Sequence, residues 1–346
     1  VTAEPAEPAG PAEPAEPAGP AGPAVAADRP GAAPRRGLVL GAGGVLGYNW
    51  LVAALATWAE HTGVDPRQFE IVVGTSAGSV VAAGIGSGLH PAALLRHLRG
   101  EHEPGDPSVS WDHDRSAGGA LPPLPVPGLG SPALASRVLR RPRSYPLVAG
   151  LSAFAPRGRG SLDPLRRAVR GLTSGSPWPA RPRTWMVAMD YDRGRRVVFG
   201  QAGVPPVDLD QAVAASCAIP GWYAPVTIDG RRYVDGGVCS TTSADLLAGQ
   251  DLDEVTVLMP LGMQAPDCSL HPLVYTERWV RRLITRRTVR ELARLRAAGT
   301  RVTLLTPDVE VLAAMGWNVM DHRRRHAVLD AALRTTASVW RDCEAA

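Results

Sequence analysis

Glu70-Ile71-Val72-Val73-Gly74-Thr75-Ser76-Ala77-Gly78 is the stretch on which the fold turns. Ile71-Val72-Val73 reads as a buried strand, and the small residues 77–85 read as a helix directly after it. The Gly-x-Ser-x-Gly turn between them lets the chain reverse sharply and lifts the Ser76 hydroxyl above the carboxyl end of the strand. Upstream, the apolar run Leu38-Val39-Leu40 ends in Gly41-Ala42-Gly43-Gly44-Val45-Leu46-Gly47, after which Leu51, Val52, Leu55 and Trp58 recur at helical spacing. Strand, helix, strand, helix in that order predicts two parallel strands side by side in one sheet.

The alternation continues downstream. Strands are predicted at 184–189 and 195–199 around the turn Asp192-Arg193-Gly194, then a helix at 208–217 that Pro220-Gly221 breaks. Residues 226–228 and 231–234 flank Asp229-Gly230, a hairpin signal that brings Asp235 to a strand end. A strand at 254–258, a long helix within 272–298, a strand at 301–305 and a terminal helix from about Asp321 complete the pattern. The expected fold class is α/β: a three-layer α/β/α sandwich with a mostly parallel central sheet, in one domain over 37–346. Within it, 100–160 is rich in Pro, Gly and Ser and reads as an irregular insertion, a candidate lid, and 261–346 as a helical C-terminal part.

Residues 1–36 differ from the body. Repeated Ala-Glu-Pro and Ala-Gly-Pro units without aromatic residues cannot bury enough apolar surface to offset the entropy of ordering, so a disordered Ala/Pro/Glu/Gly-rich tail is expected. The tail lacks the basic start and continuous apolar stretch of a secretory signal, and no segment has the roughly 18 consecutive apolar residues of a bilayer span. Cys217, Cys239, Cys268 and Cys343 have no paired-ligand spacing and read as free thiols, which makes a cytoplasmic location the expectation. The net charge of +4 divides into −2 on the tail, from five acids against Arg29, Arg35 and Arg36, and +6 on the body. All 37 basic side chains are arginine; there is no lysine.

Three segments carry chemistry. Ser76 has the strand-to-helix context of an activated nucleophile, and the helix after it adds a partial positive charge near a reacting carbonyl. The glycine loop ends the neighbouring strand, about 4.8 Å away. There the amides of Gly43, Gly44 and Val45 can face the oxygen of a carbonyl attacked by Ser76, with Gly41, Gly47, Gly74 and Gly78 shaping the turns. In Asp235-Gly236-Gly237, a buried carboxylate can take the serine proton directly, and Gly236 and Gly237 leave room for the approach.

Rival readings exist for each segment. Gly41, Gly44 and Gly47 also fit a dinucleotide-binding turn, but a chain without lysine has neither a Tyr-x-x-x-Lys pair nor a P-loop lysine, and no acid stands ready for a ribose. His271 follows Ser76 and Asp235 in the order of a Ser-Asp-His triad, so a triad esterase stays open beside the dyad. The other histidines read as surface or loop residues, His322 and His326 as a solvated pair four apart on a helix, and no metal or organic cofactor is implied. Residues 278–301 interleave nine arginines with Trp279, Val280, Leu283, Ile284, Leu292 and Leu295. This reads as a solvated face or, alternatively, as a peripheral contact with an anionic membrane. Nucleic acid is not an expected partner, because no aromatic platform accompanies the charge.

Taken together, these motifs resemble the patatin-like phospholipases, acyl hydrolases with a serine–aspartate dyad. Gly43-Gly44-Val45-Leu46-Gly47 is similar to their oxyanion loop, Gly74-Thr75-Ser76-Ala77-Gly78 to the nucleophile turn, and Asp235-Gly236-Gly237 to the base motif. Ala215-Ser216-Cys217-Ala218-Ile219-Pro220-Gly221 and Tyr233-Val234 resemble the approach to that aspartate, and the likeness covers roughly 37–260. The resemblance implies Ser76 as nucleophile, Asp235 as proton acceptor and a lipid or other acyl-ester substrate of phospholipase A or lysophospholipase type. Ala42 stands where a first loop glycine is usual, Leu46 where Arg or Lys is customary, and residues 240–243 where Asn and Pro often follow. A weak or inactive acyl-lipid-binding relative is therefore the alternative.

Overall fold

The computed structural model describes residues 33–104, 106, 121–173, 178–263 and 272–344. Its centre is an eight-stranded sheet: β1 (Arg36–Leu40), β2 (Ile71–Thr75), β3 (Arg183–Asp190), β4 (Arg195–Phe199), β5 (Val226–Ile228), β6 (Arg231–Asp235), β7 (Glu254–Leu258) and β8 (Arg301–Leu305), in the order β5-β6-β3-β2-β1-β7-β8 with β4 on β3. Strands β3, β2, β1, β7 and β8 run parallel; β4, β5 and β6 make the antiparallel part. Strands β1 and β2 are neighbours in register Leu40↔Gly74, so the glycine loop and the Ser76 turn leave the sheet at the same rim.

Side-chain alternation explains the layers. Leu38 and Leu40 of β1, Val72 of β2, and Met186 and Ala188 of β3 enter one core; Val39, Ile71, Val73, Trp185 and Val187 enter the other. Helices α1 (Gly44–Thr62), α2 (Ala77–Gly86), α3 (Pro91–Arg99), α6 (Asp163–Leu172), α7 (Leu209–Cys217), α9 (Val309–Met315) and α10 (Arg325–Glu344) all contribute to the first core. Helix α8 (Pro272–Ala297) closes the second with Leu292 and Leu295. Both faces of the sheet are covered, which is the expected sandwich. The Asp229-Gly230 hairpin has positive φ at both central residues, 47° and 72°, as a two-residue turn of this hand requires.

Several details differ from the sequence expectation. Residues 121–160 hold two helices, α4 (Pro132–Arg140) and α5 (Leu147–Ser152), where composition suggested irregular chain. The Ser131 hydroxyl caps α4 by accepting the Leu134 N–H at 3.1 Å, a local signal masked by the prolines and glycines around it. Helix α9 was not anticipated. His322 lies in a short 3-10 turn (His322–Arg324) ahead of α10, so it and His326 do not share one α-helix. Strand β1 takes in Arg36, the last residue assigned to the tail, and Arg35 N–H donates to Asp253 Oδ2 at 2.6 Å. Residues 1–32, His113, Cys268 and His271 lie outside the described residues.

Close packing at the rim makes one glycine indispensable. A Cβ on Gly78 would overlap the carbonyl of Leu40, where the first turn of α2 crosses the end of β1. Gly78→Ala is expected to cost about 2–4 kcal/mol of stability in chemical denaturation. An unchanged denaturation midpoint would contradict this packing.

Candidate active site

Ser76 sits between β2 and α2 with φ 53° and ψ −121°, a conformation costly for a residue with a Cβ, on the order of 1–3 kcal/mol. What holds it there is a buried polar chain. The Ser76 N–H donates to Ser216 Oγ at 2.8 Å, and the Ser216 hydroxyl donates onward to the Val187 carbonyl at 2.6 Å. Two residues later the Ala218 carbonyl accepts the Asp235 N–H at 2.9 Å. The end of α7 thus grips both the serine turn and the end of β6, although the three lie in separate parts of the chain.

Asp235 is buried, and its Oδ1 accepts the Gly237 N–H at 2.7 Å. Loss of water raises its pKa to about 6; hydrogen bonding from the Ser76 hydroxyl and the Gly237 amide offsets part of the rise. The serine and the carboxylate expected to meet are therefore in contact. The Cys217 thiol completes the cluster, bonded to Ser76 and, with sulfur 3.6 Å from Oγ, to Ser79; burial pushes its pKa far up, so it remains a neutral thiol. Nothing in the cysteine spacing pointed to this placement.

The glycine loop turns at Gly44, with φ 61°, and α1 begins there. Its amides divide sharply. Those of Gly41, Ala42, Leu46 and Gly47 donate to the carbonyls of Leu258, Thr241, Val319 and Gly43 at 2.7–2.9 Å. Among the described residues, the N–H groups of Gly43, Gly44 and Val45 have no protein acceptor. Gly44, Val45 and Ser76 share one apolar cavity, with about 810 Å³ of space including its open mouth, whose walls include Tyr48, Val80, Leu165, Val169 and Met320.

Part of the support comes from residues that the motifs did not reveal. Pro260 packs under Gly43 and Gly47, where an added Cβ would come within 2.6 and 2.9 Å of its ring. The buried Arg281 of α8 fixes the Pro260 carbonyl through Nη1 at 2.8 Å. Val319 holds Leu46, and Met320 closes one wall of the cavity. Leu46 is wholly buried in the core, which suits an apolar residue at a place where Arg or Lys is customary in the family. Ser240 and Thr242 donate to Glu291 of α8 at 2.7 and 2.9 Å, so the departure after Asp235-Gly236-Gly237 has a partner of its own.

Two predictions follow from this geometry. Ser216→Ala removes the acceptor of the Ser76 amide and leaves two buried groups unpaired, so a loss of about 1–3 kcal/mol in stability is expected. The Asp235 carboxyl binds its proton more tightly folded, at about 6, than unfolded, at 3.8. Its contribution to stability therefore falls as pH rises from about 4 to about 6 and stays low above. Asp235→Asn should consequently raise stability at pH 8, by up to about 3 kcal/mol, and the gain should shrink toward pH 4. Thermal melts across that range check it; a pH-independent difference would contradict the raised pKa.

Comparison with known proteins places the chain in a family. A protein family model described as patatin-like phospholipase matches residues 38–248. Curated relatives include uncharacterized NTE family proteins of Mycobacterium bovis and Mycobacterium tuberculosis, 29% identical over 259 residues, or 74% of this chain. The chain spans 57% of their length. Among solved structures, VipD from Legionella pneumophila aligns over 87% of this chain and 68% of its own, with 14% identity and a TM-score of 0.38. The type III effector protein ExoU aligns over 88% and 54%, with 16% identity and a TM-score of 0.35. The match over residues 38–248 covers the sheet rim, the serine turn and the aspartate motif together, and the chain belongs to the patatin-like phospholipase family.

Proposed function

We propose that the protein is a serine acyl hydrolase of lipid esters, of phospholipase A or lysophospholipase type. The observation that carries this is the contact of a buried, high-pKa carboxylate with Ser76 in the lining of an apolar cavity, beside amides with no protein acceptor. Ser76 Oγ attacks the ester carbonyl as its proton passes to Asp235. The carbonyl oxygen takes the negative charge toward the N–H groups of Gly43, Gly44 and Val45. Collapse of the tetrahedral adduct breaks the ester bond, and the leaving alcohol takes the proton from Asp235. Water, deprotonated by Asp235, then attacks the acyl-serine; the fatty acid leaves, and the serine recovers its proton.

The cavity suits an acyl chain, since its walls offer apolar side chains and few polar groups near Ser76. No metal or organic cofactor takes part in these steps. None of the helices among the described residues is long and apolar enough to cross a membrane. The exposed side of residues 278–301, with Trp279 and Leu283 among its arginines, is one place for peripheral contact with a lipid surface.

A fluorophosphonate probe tests the reading. Wild type is expected to label, Ser76→Ala not at all, and Asp235→Asn at least about 10²-fold more slowly. His271→Ala should label at the wild-type rate; a loss equal to that of Asp235→Asn would replace the dyad by a triad. The base must be ionised, so kcat/KM should rise with pH through an acid limb near 6. Absence of labelling in wild type on any ester-like probe would leave an acyl-lipid-binding protein instead.

A further inference from the structure

The segment 121–162 is built unlike the rest of the surface. It contains Arg137, Arg140, Arg141, Arg143, Arg157 and Arg159, and no aspartate or glutamate. All six arginines are exposed, and among the described residues none forms a salt bridge, although the charge of Arg137 helps hold the Asp192 carboxyl below its ordinary range. Of the fifteen large hydrophobic side chains that the described residues expose, nine fall in this stretch. Leu139 is 74% exposed, Leu147 76%, Val148 56%, Leu151 60% and Phe154 41%.

This exposure is not the looseness of an unattached loop. Leu134, Ala135, Ala149 and Ala153 are buried against Val234 and Cys239, the residues on either side of the Asp235 motif. The Tyr191 hydroxyl donates to the Ser152 carbonyl at 2.6 Å. Helices α4 and α5 thus spend their inward faces on the body and hold leucines and arginines outward on a fixed scaffold. At the head of α5, Pro146 lines one groove with Arg287, Arg290 and Arg294 of α8; the groove also holds Asp245 and Glu291, paired with Arg196 and Arg287, so the arginines of α8 adjoin α5 across a mixed but arginine-rich lining.

We propose that this face, the outward side of α4 and α5 joined to the exposed arginines of α8, docks on an anionic lipid bilayer. Leu139, Leu147, Val148 and Leu151 enter the acyl boundary, and the guanidinium groups meet lipid phosphates. Chemistry selects the bilayer over other occupants. A second copy would set two arginine-rich surfaces against each other, the acids of the groove, Asp245 and Glu291, being already engaged by Arg196 and Arg287. Residues 1–32 match the charge, with five acids against one arginine, but contain no leucine, isoleucine or aromatic residue to cover the apolar tips. Nucleic acid satisfies the arginines and leaves the leucines in water. Docking here would place the bilayer beside the segment that packs around Asp235.

The inference does not depend on hydrolysis, so flotation with Ser76→Ala protein tests it without consuming the vesicles. Binding is expected to phosphatidylcholine vesicles containing phosphatidylglycerol and to weaken with added salt. Leu147→Ser/Leu151→Ser and Arg140→Glu/Arg143→Glu should each reduce it by at least about tenfold, while Trp317→Ser, an exposed apolar residue elsewhere, changes nothing. On a water-soluble ester, with Ser76 restored, the Leu147/Leu151 variant should match wild type, which separates this claim from the catalytic one. Four results would overturn it: no flotation with the phosphatidylglycerol-containing vesicles, wild-type binding by both double variants, a dimer that the substitutions dissociate, or tighter binding to duplex DNA than to vesicles.

Discussion

A single side chain, the Ser216 hydroxyl, is the joint on which the site depends. It accepts from the amide of Ser76 and donates to the carbonyl of Val187, so it links the end of β2 to the middle of β3 inside a dry core. A serine at φ 53° is unstable by itself and persists only where its surroundings over-determine it. Here the determination is threefold. Gly78 lets α2 press onto β1, Ser216 captures the amide, and the sheet register places β1 beside β2. Because Ala218 also binds the Asp235 amide, the element that tensions the serine turn positions the carboxylate as well.

Electrostatics favours the same arrangement. Water exclusion raises the Asp235 pKa to about 6, which makes the carboxylate a better base and costs stability above that pH. The Ser76 hydroxyl and the Gly237 amide return part of the cost. The residues outside the 38–248 match are equally involved. Pro260, Arg281, Glu291 and Val319 reach the glycine loop and the segment after Asp235 from the C-terminal elements, so the site is completed by a part of the chain with no motif of its own.

That division explains what could be read from the sequence. The strand–helix alternation and the three glycine motifs carry local signals: apolar runs, small residues at turns, Asp-Gly at a hairpin. The sheet core and the adjacency of β1 and β2 were legible because the serine turn and the glycine loop sit at strand ends and parallel neighbours share a rim; Asp235 reaches Ser76 by another route, since β6 runs antiparallel to β3 and pairs Asp235 with Ala188. Buttresses were not legible, because a proline under a glycine loop or a cysteine beside Ser76 has no periodicity and is defined only by tertiary contact. Helices α4 and α5 were hidden for another reason. They are nine and six residues long, set among prolines and glycines, and turn leucines to water, which defeats a search for buried faces. In α8 the arginine pattern suggested a solvated helix, yet Arg278 and Arg281 are buried and Leu292 and Leu295 belong to the core.

The central claim is that serine, carboxylate and unpaired amides act on one carbonyl. It is tested most directly by a crystal structure of the protein after reaction with a long-chain alkyl phosphonate. The account predicts phosphorus bonded to Ser76 Oγ, its oxygen held by amides among Gly43, Gly44 and Val45, the carboxylate of Asp235 against the adduct, and the alkyl chain in the cavity lined by Tyr48, Val80 and Val169. Phosphorus on another residue, an oxygen turned away from the glycine loop, or an imidazole between Ser76 and Asp235 would contradict it.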